Sequence, residues 1–215
     1  KNLKRWKPTT LKKSGLTKEN KPSLKTKNRN QTFQPSSGFK SFYSVNIPMV
    51  SDTNTFVNSY NYTHYSELYE ENVTSASVYI KTANSISGDN IKLSERLFIP
   101  SKRLRGFEKG KVGPLDGSDH IGGNYTATLN FDANLPNFLP EDTKTDINLF
   151  LDFGNVWGVD YDSSLDDSNK IRSSTGLAAN WISPLGPMSF VFSQNLSKAD
   201  TDKTEFFNFN LGTTF

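Results

Sequence analysis

The sequence predicts an all-β fold, an antiparallel transmembrane β-barrel wall of about eight strands. Three observations predict it. Eight segments alternate apolar and polar side chains with the period of two that a strand imposes. The connections between most of them are too short for the crossovers that parallel pairing requires. No apolar run approaches the roughly 20 residues of a spanning helix, and the mean hydropathy of −0.60 with 34% hydrophobic residues excludes a helical membrane protein. Transmembrane strands pass that test, because lipid-facing and lumen-facing residues alternate over about 10 positions and average out as hydrophilic.

The 215 residues fit one large domain with a net charge of +3. That charge is uneven: residues 1–30 hold 11 Lys or Arg against the single acid Glu19, so they carry +10 and the remainder −7. The run Lys1-Asn2-Leu3-Lys4-Arg5-Trp6-Lys7 has the composition of an arm for nucleic acid or an anionic membrane. Without an apolar face, and with Pro8, Gly15 and Pro22 inside it, the segment is expected to be a flexible solvated end, and no nucleic-acid partner is expected. Residues 1–27 are therefore set apart as a basic, poorly ordered segment of unassigned role. The absence of cysteine excludes a disulfide framework and thiolate metal sites. No signal peptide and no Met stand at position 1, so the chain reads as a piece of a longer one.

The first strand places Phe39, Ser41, Tyr43, Val45, Ile47 and Met49 on one face and Lys40, Ser44 and Asn46 on the other, with Phe42 an exception. The second sets Phe56, Tyr60 and Tyr62 against Ser59, Asn61 and Thr63, and after the acidic turn Glu70-Glu71-Asn72 the third sets Ala76, Val78 and Ile80 against Ser75 and Ser77. A connection of nearly forty residues, 85–124, follows without sustained period. Connections that long are usually functional or disordered. Leu97, Phe98, Ile99, Leu104 and Phe107 argue for a loop that folds back and packs, because a solvated loop has little reason to carry them.

Beyond the loop the alternation sharpens. Tyr125, Ala127, Leu129, Phe131 and Ala133 oppose Thr126, Thr128, Asn130 and Asp132, and Ile147, Leu149, Leu151 and Phe153 oppose Asp146, Asn148 and Asp152, with Phe150 among the latter. Ile171, Leu177, Ala179 and Trp181 oppose Arg172, Ser174, Gly176 and Asn180, before the tight turn Ser183-Pro184-Leu185-Gly186-Pro187. Met188, Phe190 and Phe192 mark the seventh strand, and Phe207, Phe209, Leu211 and Phe215 the eighth.

A soluble β-sandwich shares this period. Polar faces of Asn, Thr, Ser, Gly and Asp, aromatic residues near strand ends, and a final aromatic strand running to the last residue favour a wet lumen and a lipid-facing exterior. Chemistry is poorly supported. There is no G-x-S-x-G, no H-E-x-x-H and no cysteine nucleophile, so no catalytic residue and no cofactor is expected. His64 reads as an interfacial side chain on a strand and His120 as a loop residue beside Asp119. Asp160, Asp162, Asp166 and Asp167 lack the alternating ligands and glycine of a calcium loop and read as a solvated extracellular loop.

Arg105-Gly106-Phe107, with Gly113-Pro114 behind it and Gly122-Gly123-Asn124 before the next strand, resembles loop six of the BamA family of outer-membrane assembly barrels. That family usually reads Val-Arg-Gly-Phe, and Leu104 departs by one methylene. Leu-Phe-Leu-Asp-Phe-Gly-Asn-Val-Trp at 149–157 resembles the family's thirteenth strand, Trp181 to Pro187 the turn before its fifteenth, and 207–215 its terminal signal. The match covers about residues 28–215. The resemblance implies the C-terminal half of a 16-stranded barrel in the outer membrane, with 85–124 a loop inserted into the lumen. It implies that Arg105 pairs with the inward carboxylates Asp152 and Asp132, and that Phe207, Phe209, Leu211 and Phe215 form the assembly signal. It further implies a factor that folds and inserts other β-barrels, with outer-membrane lipid, unfolded β-barrel substrates and accessory lipoproteins as partners. The alternatives are a related transporter of passenger proteins and a small, complete eight-stranded barrel.

Overall fold

A computed structural model describes residues 19–20, 23–29, 36–48, 54–69, 72–135, 145–165, 169–183 and 186–212. Nearly all the chain's long elements are strands of one antiparallel sheet: β1 (Glu19–Asn20), β2 (Ser23–Arg29), β3 (Gly38–Pro48), β4 (Thr55–Tyr69), β5 (Asn72–Ser85), β8 (Tyr125–Asn134), β9 (Thr145–Trp157), β10 (Arg172–Ser183), β11 (Gly186–Ser197) and β12 (Phe207–Leu211). The two-residue strands β6 (Leu115–Asp116) and β7 (Asp119–His120) make a small hairpin of their own inside the long connection. From β3 onward each long strand pairs with its successor in sequence, and both β1 and β2 pair with β3.

The sheet is open: among the described residues β12 does not pair with β2 or β3, so the closed eight-stranded barrel is not what this chain forms. The eight expected strands are all present in the expected order, with Met49, the Glu70-Glu71 turn, Pro184-Leu185 and Phe215 outside the described residues. The two-residue strands β1, β6 and β7 and the seven-residue β2 were not expected. β2 pairs with β3 from Ser23↔Ser44 to Arg29↔Gly38, so the boundary drawn between residues 27 and 28 falls inside a strand. Its Lys25, Lys27 and Arg29 alternate with Leu24, Thr26 and Asn28, and that period of two is masked in the sequence by the surrounding basic run.

The outward face carries the aromatic and aliphatic residues the alternation assigned to lipid, with Tyr43, Ile80, Phe131, Leu149, Leu177, Phe192 and Phe209 all exposed. Rings meet across strands on this face, as Tyr125 with Trp157 at 5.9 Å and Phe190 with Phe209 at 5.1 Å. The opposite, inner face is polar and carries the long loop. Across it runs a row of directly opposed residues, Lys27, Lys40, Thr63, Ser77, Asn130, Asp152, Ser174 and Asn195, one from each of β2 to β5 and β8 to β11. The next row holds Ser75, Asp132, Phe150, Gly176 and Ser193.

The long loop packs against that face instead of standing in solvent. Ile99, Leu104, Phe107 and Val112 form a buried cluster with Val156 of β9, and Ile91 and Leu97 form another with Ala83 of β5. Such burial offsets the conformational entropy that ordering a loop of this length costs. Leu97 and Gly123 join in a backbone bridge, and Ala83 and Asn124 tie the loop's end to β5.

Candidate functional site

The inner wall supplies two carboxylates by parity alone. Asp132 on β8 and Asp152 on β9 sit two positions apart in register, since Asn130 faces Asp152 and Asp132 faces Phe150. Both therefore project to the loop-bearing side. The turn at 104–106 delivers Arg105 between them. Gly106 follows at φ +85°, a left-handed conformation that costs other L-residues about 1–2 kcal/mol. This reversal sends the Arg105 side chain toward β8 and β9 while the main chain continues toward β11.

Arg105 meets Asp152 through two parallel bonds, Nε to Oδ2 and Nη2 to Oδ1, each 2.7 Å, and its backbone N–H donates to Oδ2 at 3.1 Å. Nη1 donates to Asp132 Oδ1 at 2.7 Å. Asn130 completes the shell of Asp152 by donating Nδ2 to Oδ1 at 2.9 Å, and it donates to the Arg103 carbonyl at 2.7 Å. The Asp152 side chain is fully shielded, whereas Asp132 keeps 29% of its side-chain surface exposed. Burial alone would lower the Arg105 pKa, but the two carboxylates outweigh it and hold the guanidinium more firmly charged than usual. The backbone carbonyl of Arg105 accepts from Ser174 Oγ on β10. Neighbouring Arg103 lies over the Tyr79 ring at 5.3 Å, and burial lowers its pKa despite Tyr79, Asp132 and Asp152.

The sequence-predicted residues Arg105, Asp132 and Asp152 thus lie in one cluster. Gly106 and Phe107 continue the loop away from it: the Gly106 carbonyl accepts from Asn195 Nδ2 at 2.9 Å, and Phe107 bridges to Thr204. Phe207, Phe209 and Leu211 lie apart, exposed on the outward face of β12, and Phe215 lies outside the described residues.

Sequence reasoning missed the parts played by Phe150, Asp160, Arg172 and Asp202. Phe150, an odd apolar residue on a polar face, carries the Arg105 guanidinium over its ring at 3.8 Å and is buried with Ala178 and Val191. Its placement among polar residues was the available signal. Asp160, assigned to a solvated loop, instead accepts Ile91 N–H at 2.7 Å and pairs with Arg96, which fixes the start of the long loop. Burial would raise the Asp160 pKa, yet bonds from Ile91 and Asn124 and the Arg96 charge hold it below its ordinary value. Arg172 and Asp202 form a fully buried pair, with Nε to Oδ2 at 2.9 Å and Nη2 to Oδ1 at 3.0 Å. Among the described residues no cluster of His, Cys, Asp or Glu is arranged to hold a metal ion.

The sequence matches the Omp85 superfamily domain over residues 10–215. It is 32% identical to the outer membrane protein assembly factor BamA of Neisseria meningitidis serogroup B, over 52% of this chain and 17% of that protein. It is 28% identical to BamA of Neorickettsia risticii, over 60% of this chain and 18% of that protein. The chain thus spans less than a fifth of the curated relatives it matches. The crystal structure of BamA from Haemophilus ducreyi lacking POTRA domains 1–3 superposes with a TM-score of 0.80 at 24% identity, covering 91% of this chain and 42% of that one. An open antiparallel wall with lipid-facing aromatics, an arginine-bearing loop on its inner face and a domain match over almost its whole length give one conclusion: the chain belongs to the Omp85 superfamily, and its sheet is part of an outer-membrane β-barrel.

Proposed function

We propose that the chain is the C-terminal half of the 16-stranded barrel of an outer-membrane assembly factor, which folds other β-barrel proteins and inserts them into the outer membrane. The supporting observation is the last strand. β12 is held to β11 over five register positions, Met188↔Leu211 to Phe192↔Phe207, whereas every other neighbouring pair from β3 onward matches nine or more. Its inner side chains are Asn208 and Asn210, residues of low β-propensity. A strand that is paired with its neighbour over so few of the described positions gives way readily to another chain's strand, which adds by main-chain hydrogen bonds. In this reading the substrates are unfolded β-barrels, Phe207, Phe209, Leu211 and Phe215 form the assembly signal, and the Arg105 cluster latches the long loop. Accessory lipoproteins and outer-membrane lipid complete the working set.

Disulfide capture tests the reading. In the full-length protein, Asn208→Cys and Asn210→Cys variants are offered a β-barrel substrate arrested during insertion and carrying single cysteines along its terminal strands. Adducts at every second substrate position, in one register, are expected. Substrate insertion at the normal rate with no adduct at either position overturns it.

A further inference from the structure

The connection between β11 and β12, residues 198–206, is bound to the long loop more closely than to the strands it joins. Glu108 N–H donates to the Lys203 carbonyl at 3.0 Å, Lys203 N–H to the Lys111 carbonyl at 3.0 Å, and Glu205 N–H to the Gly106 carbonyl at 3.1 Å. Phe107 and Thr204 close the antiparallel bridge between the two segments. At the centre is Asp202, whose carboxylate joins three separate parts of the chain. It accepts both guanidinium bonds from Arg172 at the start of β10, Gly113 N–H of the long loop at 3.3 Å, and Ala199 N–H of its own turn at 2.6 Å. Arg172 in turn donates Nη1 to Asn155 Oδ1 at 2.6 Å, which anchors the assembly to β9. Gly113 is required at this crossing: it has φ +106°, and a Cβ there would stand 2.3 Å from Val156 Cγ1.

β12 begins at Phe207, two residues after Glu205, whose N–H is held by Gly106. Two residues span at most about 7 Å, so the start of β12 cannot move far while that bond is made. The segment is also tied to β11, because Ser193 N–H donates to the Phe206 carbonyl at 2.9 Å and Ser193 Oγ to the Glu205 carbonyl at 2.9 Å. The seated loop therefore fixes where the final strand enters the sheet and in which register it pairs.

We propose that residues 198–206 are a clamp through which the seated long loop holds β12 in its five-residue pairing with β11, with Asp202 and Arg172 as the positioning residues. The significance of a loosened β12 for substrates rests on the assembly function proposed above. Loss of the clamp frees the edge strand without unfolding the wall, because β8 to β11 are paired independently of it. A carboxylate that holds two buried charge-assisted bonds cannot be replaced by an amide without losing one donor match.

Hydrogen exchange on the full-length protein tests this. Asp202→Asn is expected to accelerate exchange of the amides of Phe207–Leu211 about tenfold, while those of Thr145–Trp157 hold their rate. Glu108→Cys with Lys203→Cys, both exposed and facing across the bridge, joined by a short bis-maleimide, is expected to restore slow exchange in the Asp202→Asn protein. Unchanged exchange in Phe207–Leu211, or equal acceleration in Thr145–Trp157, overturns the clamp. If Asp202→Asn does not yield a folded barrel, the cross-link in the otherwise native protein decides: it must slow exchange in Phe207–Leu211 relative to the uncoupled form, and equal rates overturn the proposal. Insertion of a β-barrel precursor, assayed on the same proteins, reads the other question. A loosened β12 with unaltered insertion sustains the clamp and removes the assembly role of the seam, whereas an unloosened β12 removes the clamp whatever the insertion rate.

Discussion

The guanidinium of Arg105 stands 3.8 Å from the centroid of the Phe150 ring, so the cation that bridges Asp132 and Asp152 is also carried on an aromatic face. Phe150→Leu keeps most of the buried volume and removes the ring. The expected loss is about 0.5–2 kcal/mol, the worth of a cation over an aromatic face. Limited proteolysis of the folded barrel checks it: cleavage within 85–124 should rise less than in Arg105→Ala.

Arg105→Ala leaves the fully shielded Asp152 carboxylate without its cation, and breaking a buried pair in this way costs about 3–5 kcal/mol. Arg105→Ala and Asp152→Asn should each expose 85–124 to protease while the strands stay paired. The double variant should add little, since both changes break one contact. Arg105→Lys should not restore protection, because an ammonium cannot supply the two parallel donors that Asp152 receives. A fully protected loop in Arg105→Ala would remove the latch.

Gly106→Ala combines two penalties that a second substitution separates. Its φ of +85° disfavours any side chain, and the new Cβ would stand 3.0 Å from Ser193 Cβ and Oγ. Ser193→Gly in the same protein should relieve the contact and leave the backbone cost of about 1–2 kcal/mol, and Ser193→Gly alone serves as the control for the lost Ser193 Oγ bond to the Glu205 carbonyl. The expected order of loop protection is native, then the double variant, then Gly106→Ala, read again by protease cleavage.

Asp160 gives a pH dependence. Its folded pKa lies below the ordinary 3.8, so its contribution is complete above that value and is lost as pH falls through the lower folded value. Protection of the amides around Ile91 and Arg96, with the intrinsic pH dependence of exchange divided out, should therefore fall only below about pH 4, where carboxylates protonate. In Asp160→Asn that protection should already be low at neutral pH and change little with acidification.

The strands were legible because lipid and lumen impose opposite chemistries on alternate residues, as at Leu129 and Phe131 against Asn130 and Asp132. The Arg105 cluster was legible for the same reason: parity fixes which way Asp132 and Asp152 point, and a family motif names the arginine that meets them. Arg172 and Asp202 were not legible as partners. Asp202 lies in a connection, where no period constrains direction, and their meeting depends on how the loop crosses the wall. β2 carries a readable signal in Lys25, Lys27 and Arg29, but like charges directly opposed, as Lys27 and Lys40 are, argue against pairing when judged locally. The sheet as a whole overrides that preference.

The bonds that seat the long loop connect residues far apart in sequence: Arg105 to Asp152 spans 47 positions, Ile91 to Asp160 69, and Gly113 to Asp202 89. Contacts of such separation form slowly, since chain entropy is lost before they return any energy. Asp152, Asp160 and Asp202 all follow the loop in the chain, so although Tyr79 and Ala83 of β5 precede it, its carboxylate anchors are absent until the wall beyond it is laid down. In kinetic terms its seating is a late step of folding. A protease-resistant 85–124 segment therefore serves as a time stamp in a refolding experiment, marking molecules whose strands from β8 to β11 are already in register.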